Sequence, residues 1–172
     1  MRLGMALVPE RRRLFTSLTV RDNLAAAALV TGKRPDIDRI VNLFPALERR
    51  MTVKAGSLSG GEQQMLGVSR AVLASPTVLL IDEPSLGLAP IMARTVFQAL
   101  RTLADGGTSV LLAEQNLRLA LSIADRAIVL TGGRASYDGE CTTEAGRDRV
   151  SEAYRSVTQL GAASAAEGRS GR

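Results

Sequence analysis

The amino-acid sequence predicts an α/β fold with a parallel sheet, and two observations lead to this prediction. First, the runs TVLLID (77–82) and TSVLLAE (108–114) are apolar and rich in β-branched residues, which is typical of strands buried on both faces of a parallel sheet. Second, an amphipathic segment lies between them, from Pro90 to the pair Gly106-Gly107. A strand–helix–strand crossover of this kind places its two strands parallel.

The first half of the chain is predicted to hold one strand and three helices. The strand is GMALVPE (4–10), which ends at Pro9. Thr19 and Asp36 are candidate N-caps of the first two helices, and Gly32 lies just past the end of the first. The elements expected after the strand are a helix over about 20–31, a helix near 36–43, a loop over 51–58 and a helix near 60–74.

The second half is predicted to alternate helices with strands. Gly132-Gly133 lies in the turn of a predicted hairpin, RAIVLTGGRASYDG. The last residues, GAASAAEGRSGR, are small and polar, which is typical of a disordered tail. The elements expected are a helix over about 90–104, the strand at 108–114, a helix near 117–124, the hairpin, a helix near 142–158 and the tail at 159–172.

Composition excludes several classes of protein. The chain has 172 residues, of which 45% are apolar, so it can bury a core of one domain. No apolar run approaches the length of a transmembrane helix, and no secretory leader is visible. The net charge of +5 is interpreted as a basic solvated surface and not as a nucleic-acid site, because the densest basic run, Arg11 to Arg13, is short. With Cys141 as its single cysteine and no histidine, the chain can form neither an internal disulfide nor a histidine-dependent triad.

Acidic and polar residues follow both predicted core strands. Asp82-Glu83 ends the first and Glu114-Gln115 ends the second. Because parallel sheets bind ligands at the carboxyl ends of their strands, we expect these side chains to line one crevice. Two carboxylates there can divide the work: one holds Mg²⁺ through water and the other polarises an attacking water. The alternative is a pair of solvated acids on a loop.

A Gly-Gly pair opens the helix near 60–74. Ser59 and Glu62 have the spacing of a capping box, which explains them without any ligand. It does not explain Gly60 and Gly61, since each glycine costs roughly 1 kcal/mol of helix propensity relative to alanine. Glycines in a first turn let a phosphate approach the free N–H groups at the positive end of the helix. Both roles are compatible.

The motifs around the Gly-Gly pair and the Asp-Glu pair resemble those of a known family. LSGGEQQ followed by VLLIDEP resembles the signature motif and the Walker B strand of ATP-binding cassette (ABC) ATPases. With VPERRRLFTSLTVRDNL, DEPSLGLAP and LLAEQN, the sequence is similar to the ATPase subunits of branched-chain amino-acid importers over about residues 3–156. The resemblance implies a P-loop NTPase core with a helical signature subdomain. The implied layout is an ABC ATPase domain over 1–158, with the helical subdomain at about 12–75, the sheet core at about 76–140 and the C-terminal helix at about 142–158.

The resemblance also implies roles for single residues near the strand ends. Glu83 corresponds to the general base, and Asp82 to the aspartate that holds Mg²⁺ through water. Glu10 stands where most of the family has the glutamine of the Q-loop, which also touches Mg²⁺. Gln115 stands where most of the family has the switch histidine, and Ala89 where many members have the D-loop aspartate. Arg11, where this branch usually has glycine, is expected to perturb the Q-loop turn.

The signature motif implies a dimer. In the family, the residues that correspond to Ser59, Gly60, Gly61 and Glu62 contact ATP bound to the opposite subunit. The resemblance therefore implies an ATP hydrolase with MgATP as substrate, paired with a second ABC ATPase subunit in a homo- or heterodimer and with membrane permease subunits. Its location would be peripheral, on the cytoplasmic face of the membrane, with no nucleic-acid partner.

The sequence holds no Gly-x-x-x-x-Gly-Lys-Ser/Thr phosphate cradle. Its nearest approach, Gly32-Lys33-Arg34, has alanine in place of the first glycine and arginine in place of the hydroxyl. In the family the cradle precedes the strand that ends at Pro9. We therefore expect an N-terminally incomplete ATPase domain, and we expect the isolated chain to bind MgATP negligibly and to be inactive.

Two function classes remain open at this point. The first is an ATPase subunit that drives import, with branched-chain amino acids as the expected solutes. The alternative is a truncated, non-catalytic remnant or regulatory partner that supplies the signature motif in trans. An ATPase acting on DNA is disfavoured, since residues 10–58 contain neither heptads nor cysteine pairs.

Overall fold

The structure, a computed structural model, describes residues 4–29, 32 and 34–167. Short 3₁₀ helices at Pro45–Arg50 and Ala55–Ser57 follow the second α-helix, so the predicted loop at 51–58 holds one turn of helix. The chain forms two compact units, Met1–Asn116 and Leu117–Arg172. In chain order the main elements are β1 (Met5–Val8), α1 (Val20–Leu29), α2 (Ile37–Leu43), α3 (Gly60–Val72), β2 (Val78–Asp82), α4 (Pro90–Asp105), β3 (Ser109–Ala113), α5 (Leu117–Ile123), β4 (Arg126–Thr131), β5 (Arg134–Glu140) and α6 (Glu144–Glu167).

The first unit contains a three-stranded sheet in the order β1-β2-β3. Both strand pairs are parallel, with Val8 opposite Ile81 and Ile81 opposite Leu112. This confirms the parallel arrangement expected from the crossover. It also gives the predicted N-terminal strand its place beside β2, so that three carboxyl ends share one edge of the sheet.

Only one face of this sheet is buried within the described residues. Leu79 and Ile81 of β2 are almost fully buried, whereas Leu7 of β1 is 60% exposed and Leu111 of β3 is 62% exposed. The expectation of strands buried on both faces is therefore wrong here. The reason is that α3 packs against β1 and α4 against β3, and Val8, on the buried face of β1, lies against Gly67 of α3.

The helices of the first unit begin where their capping residues predict. Thr19 Oγ1 accepts a hydrogen bond from the Asp22 amide at 3.1 Å, and Asp36 caps α2 by accepting from the Arg39 amide at 3.0 Å. Gly32 has a left-handed φ of +68°, as expected of a residue just past a helix end. Buried Asn23 was not singled out by the sequence; its side chain bonds to both the amide and the carbonyl of Phe15.

The second unit is a hairpin packed against a helix. Strands β4 and β5 pair antiparallel, with Gly132 and Gly133 both at positive φ in the turn, as predicted. Val129, Cys141 and Val150 form its buried centre. Burial raises the pKa of the Cys141 thiol, which keeps this thiol protonated near neutral pH.

The C-terminal helix is longer than predicted. Helix α6 ends at Glu167 and not near residue 158, so the prediction of a disordered tail at 159–172 is wrong over 159–167. The stretch AASAAE after Gly161 is rich in alanine, the strongest helix former, and this outweighs its small, polar character. Residues 168–172 of the predicted tail lie outside the described residues. Across the described part of the chain, no helix combines the length and apolar character that a membrane crossing requires.

Candidate functional site

The polar residues that follow β2 and β3 meet at one edge of the sheet, as predicted. The Gln115 side-chain amide donates a hydrogen bond to Glu83 Oε1. The backbone holds the same junction, because the Glu83 amide donates to the carbonyl of Ala113 at 2.8 Å. The structure therefore brings the expected base and the residue in the switch position into direct contact across 32 positions of sequence.

Glu83 occupies a strained backbone conformation. Its φ is +43°, in the left-handed region that favours glycine. For a residue with a side chain, this costs about 1 to 3 kcal/mol and persists only where the surroundings impose it. Half-buried Glu83 leaves the end of β2 at this turn, and its carbonyl accepts from the Leu86 amide at 3.1 Å.

Asp82 and Glu10 are the expected metal residues. Asp82 is the last residue of β2, and Glu10 follows the end of β1; both are exposed. Within the described residues, no group of three or more His, Cys, Asp or Glu is arranged to hold a metal ion. Mg²⁺ is usually held by one or two carboxylates together with substrate phosphates and water. The donor chemistry at this edge therefore fits Mg²⁺ that arrives with a phosphate ligand, and not a resident metal held by protein alone.

The first turn of α3 is closed by the predicted capping box. Ser59 Oγ accepts from the Glu62 amide at 3.3 Å, and Glu62 Oε2 accepts from the Ser59 amide at 2.8 Å. Arg50 Nε lies 2.8 Å from Glu62 Oε1. Desolvation raises the pKa of the Glu62 carboxyl, but the hydrogen bonds from Ser59 and Arg50 outweigh it and hold that pKa below its usual value. Both carboxylate oxygens of Glu62 therefore already have structural partners.

The two glycines of α3 have different surroundings. A Cβ at Gly61 would lie 2.7–2.9 Å from side-chain atoms of Met92, so this glycine allows α3 to pack closely against α4. A Cβ at Gly60 would find its nearest neighbour at 3.8 Å. Gly60 is exposed and Gly61 is buried. The sequence analysis explained both glycines by the approach of a phosphate. In the structure, close packing on Met92 is enough to explain Gly61. That contact was not predictable, because Met92 lies far from Gly61 in the sequence.

Arg12 is a neighbour of α3 that sequence reasoning missed. Its Nε donates to Gln64 Oε1 at 2.6 Å, and its guanidinium also donates to Gln63 Oε1 at 3.3 Å. Burial lowers the pKa of Arg12; a guanidinium nevertheless stays protonated in proteins. The left-handed residues of this turn are Arg12 and Arg13, at φ of +52° and +46°, and the expectation that Arg11 perturbs the turn stays a prediction.

The loop that leaves Glu83 reaches the start of α3. Gly87 O would lie 3.9 Å, and Leu88 Cδ2 3.8 Å, from a Cβ placed at Gly60. Ala89 is the N-cap residue of α4 but caps it with no side-chain hydrogen bond. Within the first unit, the strand-end site and the helix-start site are therefore connected through a loop of a few residues.

Known proteins that resemble this chain in sequence belong to the family that its motifs resemble. The ABC transporter family matches residues 1–86. The chain is 48% identical over 137 residues to the high-affinity branched-chain amino acid transport ATP-binding protein BraG of Pseudomonas aeruginosa, covering 78% of this chain and 59% of that protein. It is 40% identical over 142 residues to the probable branched-chain amino acid transport ATP-binding protein LivF of Archaeoglobus fulgidus, covering 80% and 60%. The chain thus spans about three-fifths of the length of these relatives.

Solved structures resemble the chain as well. An ATP-binding subunit of an ABC transporter superposes with a TM-score of 0.74 at 27% identity, over 91% of this chain and 69% of that one. A dimeric ATP-binding cassette in a post-hydrolysis state, bound to ADP and Pi, superposes with a TM-score of 0.70 at 22% identity, over 81% and 63%. These likenesses confirm the predicted α/β fold of an ATP-binding cassette.

Proposed function

Because this chain belongs to the ABC transporter family, we propose that it acts as the ATP-binding and ATP-hydrolysing component of an importer for branched-chain amino acids. The observation that carries the proposal is the contact between Glu83 and Gln115 at the carboxyl ends of β2 and β3. The names of the two curated relatives support the class of transported solute.

The geometry supports one division of labour at the strand ends. Glu83 is the base that orients and deprotonates the attacking water, since a carboxylate held near a reacting phosphate can accept that proton. Gln115 holds the Glu83 carboxylate by donating a hydrogen bond to it. A glutamine amide neither gains nor loses a proton near neutral pH, so Gln115 orients and does not relay.

Asp82 and Glu10 are the residues that would hold Mg²⁺ through water. The ion, when bound, neutralises charge that develops on the transferred phosphate. The exposed position of both carboxylates at strand ends leaves room for that water layer.

The start of α3 would contact the γ-phosphate of ATP held by a second ATPase subunit. Exposed Gly60 leaves the first N–H groups of the helix open, and the positive end of the helix favours an anion there. Gly61, by packing on Met92, and Glu62, by closing the capping box, would hold that turn in shape. The dimeric ADP- and Pi-bound cassette supports the two-subunit arrangement.

The remaining partners would be membrane permease subunits, with this component peripheral on the cytoplasmic face. The alternative is a non-catalytic partner that offers only Ser59 and Gly60 to an intact subunit's ATP. The exposed position of Gly60 at the start of α3 is the observation that supports this alternative.

One experiment separates the two functions. ATP hydrolysis is measured in the assembled transporter with the wild-type component, with Glu83→Gln and with Gly60→Leu. If the component is catalytic, Glu83→Gln lowers turnover by about 100-fold or more, the usual size of a general-base contribution. If it only offers its signature in trans, Glu83→Gln leaves turnover unchanged and Gly60→Leu abolishes it. Glu152→Gln, an exposed carboxylate of α6, is the matched control.

A further inference from the structure

We propose that Glu114 is a positioning residue that ties the loop after Glu83 to the end of β3, and so holds Glu83 against Gln115. The catalytic consequence rests on the proposed function, whereas the tie itself is a property of the fold. Glu114 precedes Gln115 in the chain, and no role for it follows from the capping, metal or base assignments above.

Three hydrogen bonds from two segments converge on the Glu114 carboxylate. Ser85 Oγ donates to Oε1 at 2.8 Å, and the Ser85 amide donates to Oε2 at 3.2 Å. The Asn116 amide donates to Oε1 at 2.8 Å. The first two bonds span 29 positions of sequence, whereas the third closes a turn within the segment after β3. The half-buried Glu114 carboxylate thus connects the loop after β2 to the segment after β3.

A carboxylate suits this position better than any neutral side chain. Both of its oxygens accept, and each faces an N–H or O–H donor. In glutamine, one oxygen becomes an NH₂ group that would face a donor of Ser85 or Asn116. Hydrogen bonds to a charged acceptor are also roughly twice as strong as neutral ones.

The tie acts at the place where the backbone is strained. Ser85 lies two residues after Glu83, whose φ of +43° needs surroundings that impose it. Ser85 also anchors the next turn, because its carbonyl accepts from the Leu88 amide at 3.1 Å. Leu88 in turn lies beside Gly60. Glu114 therefore secures a loop that has the base at one end and the start of α3 at the other.

Hydrogen exchange of single backbone amides in the 172-residue chain tests the tie. In Glu114→Ala, the Ser85 and Asn116 amides should both exchange at least about tenfold faster, as expected when a hydrogen bond to a charged group is lost. In Glu114→Gln, at least one of the two amides should do so, since glutamine keeps a single acceptor oxygen. Amides of α4 should be unchanged, and so should all amides of the control Glu152→Gln. Unchanged exchange at Ser85 in Glu114→Ala would overturn the proposal, and so would an equal acceleration in α4, which would mean general unfolding.

ATP hydrolysis by the assembled transporter tests the catalytic consequence. Glu114→Ala should lower kcat about tenfold and leave the KM for ATP within about twofold, because it misplaces the base and removes no ATP contact. Ser85→Ala should have a smaller effect, and the double variant should be no slower than Glu114→Ala, since both act through one joint. A rise in KM that accounts for the whole loss, or fully additive effects, would contradict the positioning role. If the wild-type transporter hydrolyses no ATP, the proposed function fails, while hydrogen exchange still decides the tie.

Discussion

The start of α3 and the end of β2 are built in opposite ways. The capping box that closes α3 joins residues three positions apart, Ser59 and Glu62, and its geometry is relaxed. The end of β2 places Glu83 at a left-handed φ and depends on Ala113, Glu114 and Gln115, some 30 positions away. The capping box at the helix start can therefore form from local contacts alone, whereas the conformation at the end of β2 requires the folded sheet. Substitutions at the two sites should therefore change the stability of the fold in different ways.

The largest expected effect comes from the packing of Gly61 on Met92, a non-local contact of the helix start. Gly61→Leu should lower the free energy of unfolding by about 1 to 3 kcal/mol, because its side chain would overlap Met92. Urea unfolding of the 172-residue chain measures this change. Gly60→Leu, one residue earlier and exposed, is the control and should cost far less. A Met92→Ala background should restore part of the loss at Gly61; equal losses at both glycines would refute the packing role.

The capping box at the start of α3 should contribute less to the free energy of unfolding than the packing of Gly61. Ser59→Ala removes the acceptor for the Glu62 amide and should cost about 1 kcal/mol, the usual value of an N-cap. Ser59→Asp keeps an acceptor and should retain most of the stability. A Ser59→Asp variant as unstable as Ser59→Ala would show that the box does not carry the effect.

At the end of β2, a glycine variant should be more stable than an alanine variant, which is the reverse of the usual order. At position 83 the left-handed φ favours glycine, so Glu83→Gly should be more stable than Glu83→Ala by about 1 kcal/mol. At neighbouring Asp82, in the extended strand, alanine should be the more stable by about 0.5 to 1 kcal/mol. Thermal unfolding of the four variants gives both differences. The same ranking at both positions would mean that Glu83 is not strained in solution.

The smallest effect is a dependence of stability on pH at the helix start. The folded pKa of Glu62 lies below its unfolded value, so the unfolded chain binds more protons between the two. Its stabilisation is therefore fully present above the unfolded pKa, about 4.3, and is lost as the pH falls through the folded pKa. Unfolding titrations of wild type and Glu62→Gln from pH 7 to 3 should show a difference that shrinks on acidification. A constant difference would contradict the assignment.

Periodicity and capping signals were sufficient to predict most elements of this fold. Asp36 caps α2, Pro90 opens α4, and Gly132-Gly133 forms the hairpin turn, because each signal acts on backbone only a few residues away. The same signals misjudged the tail, where alanine content extends α6 to Glu167. They also misjudged the sheet, because an apolar strand pattern does not say which helices will cover its second face.

The sequence by itself determined the parallel sheet, the capped start of α3 and the edge at which Asp82, Glu83 and Gln115 come together. Spacing, strand direction and chain order suffice for these, since parallel strands present their carboxyl ends on one side. Tertiary structure alone decided that Gly61 packs on Met92, that Arg12 binds Gln63 and Gln64, and that Glu114 holds Ser85. The reason is physical: each of these contacts joins residues about 30 to 50 positions apart, and the energy of each contact depends on distances that exist only after the sheet and helices have packed.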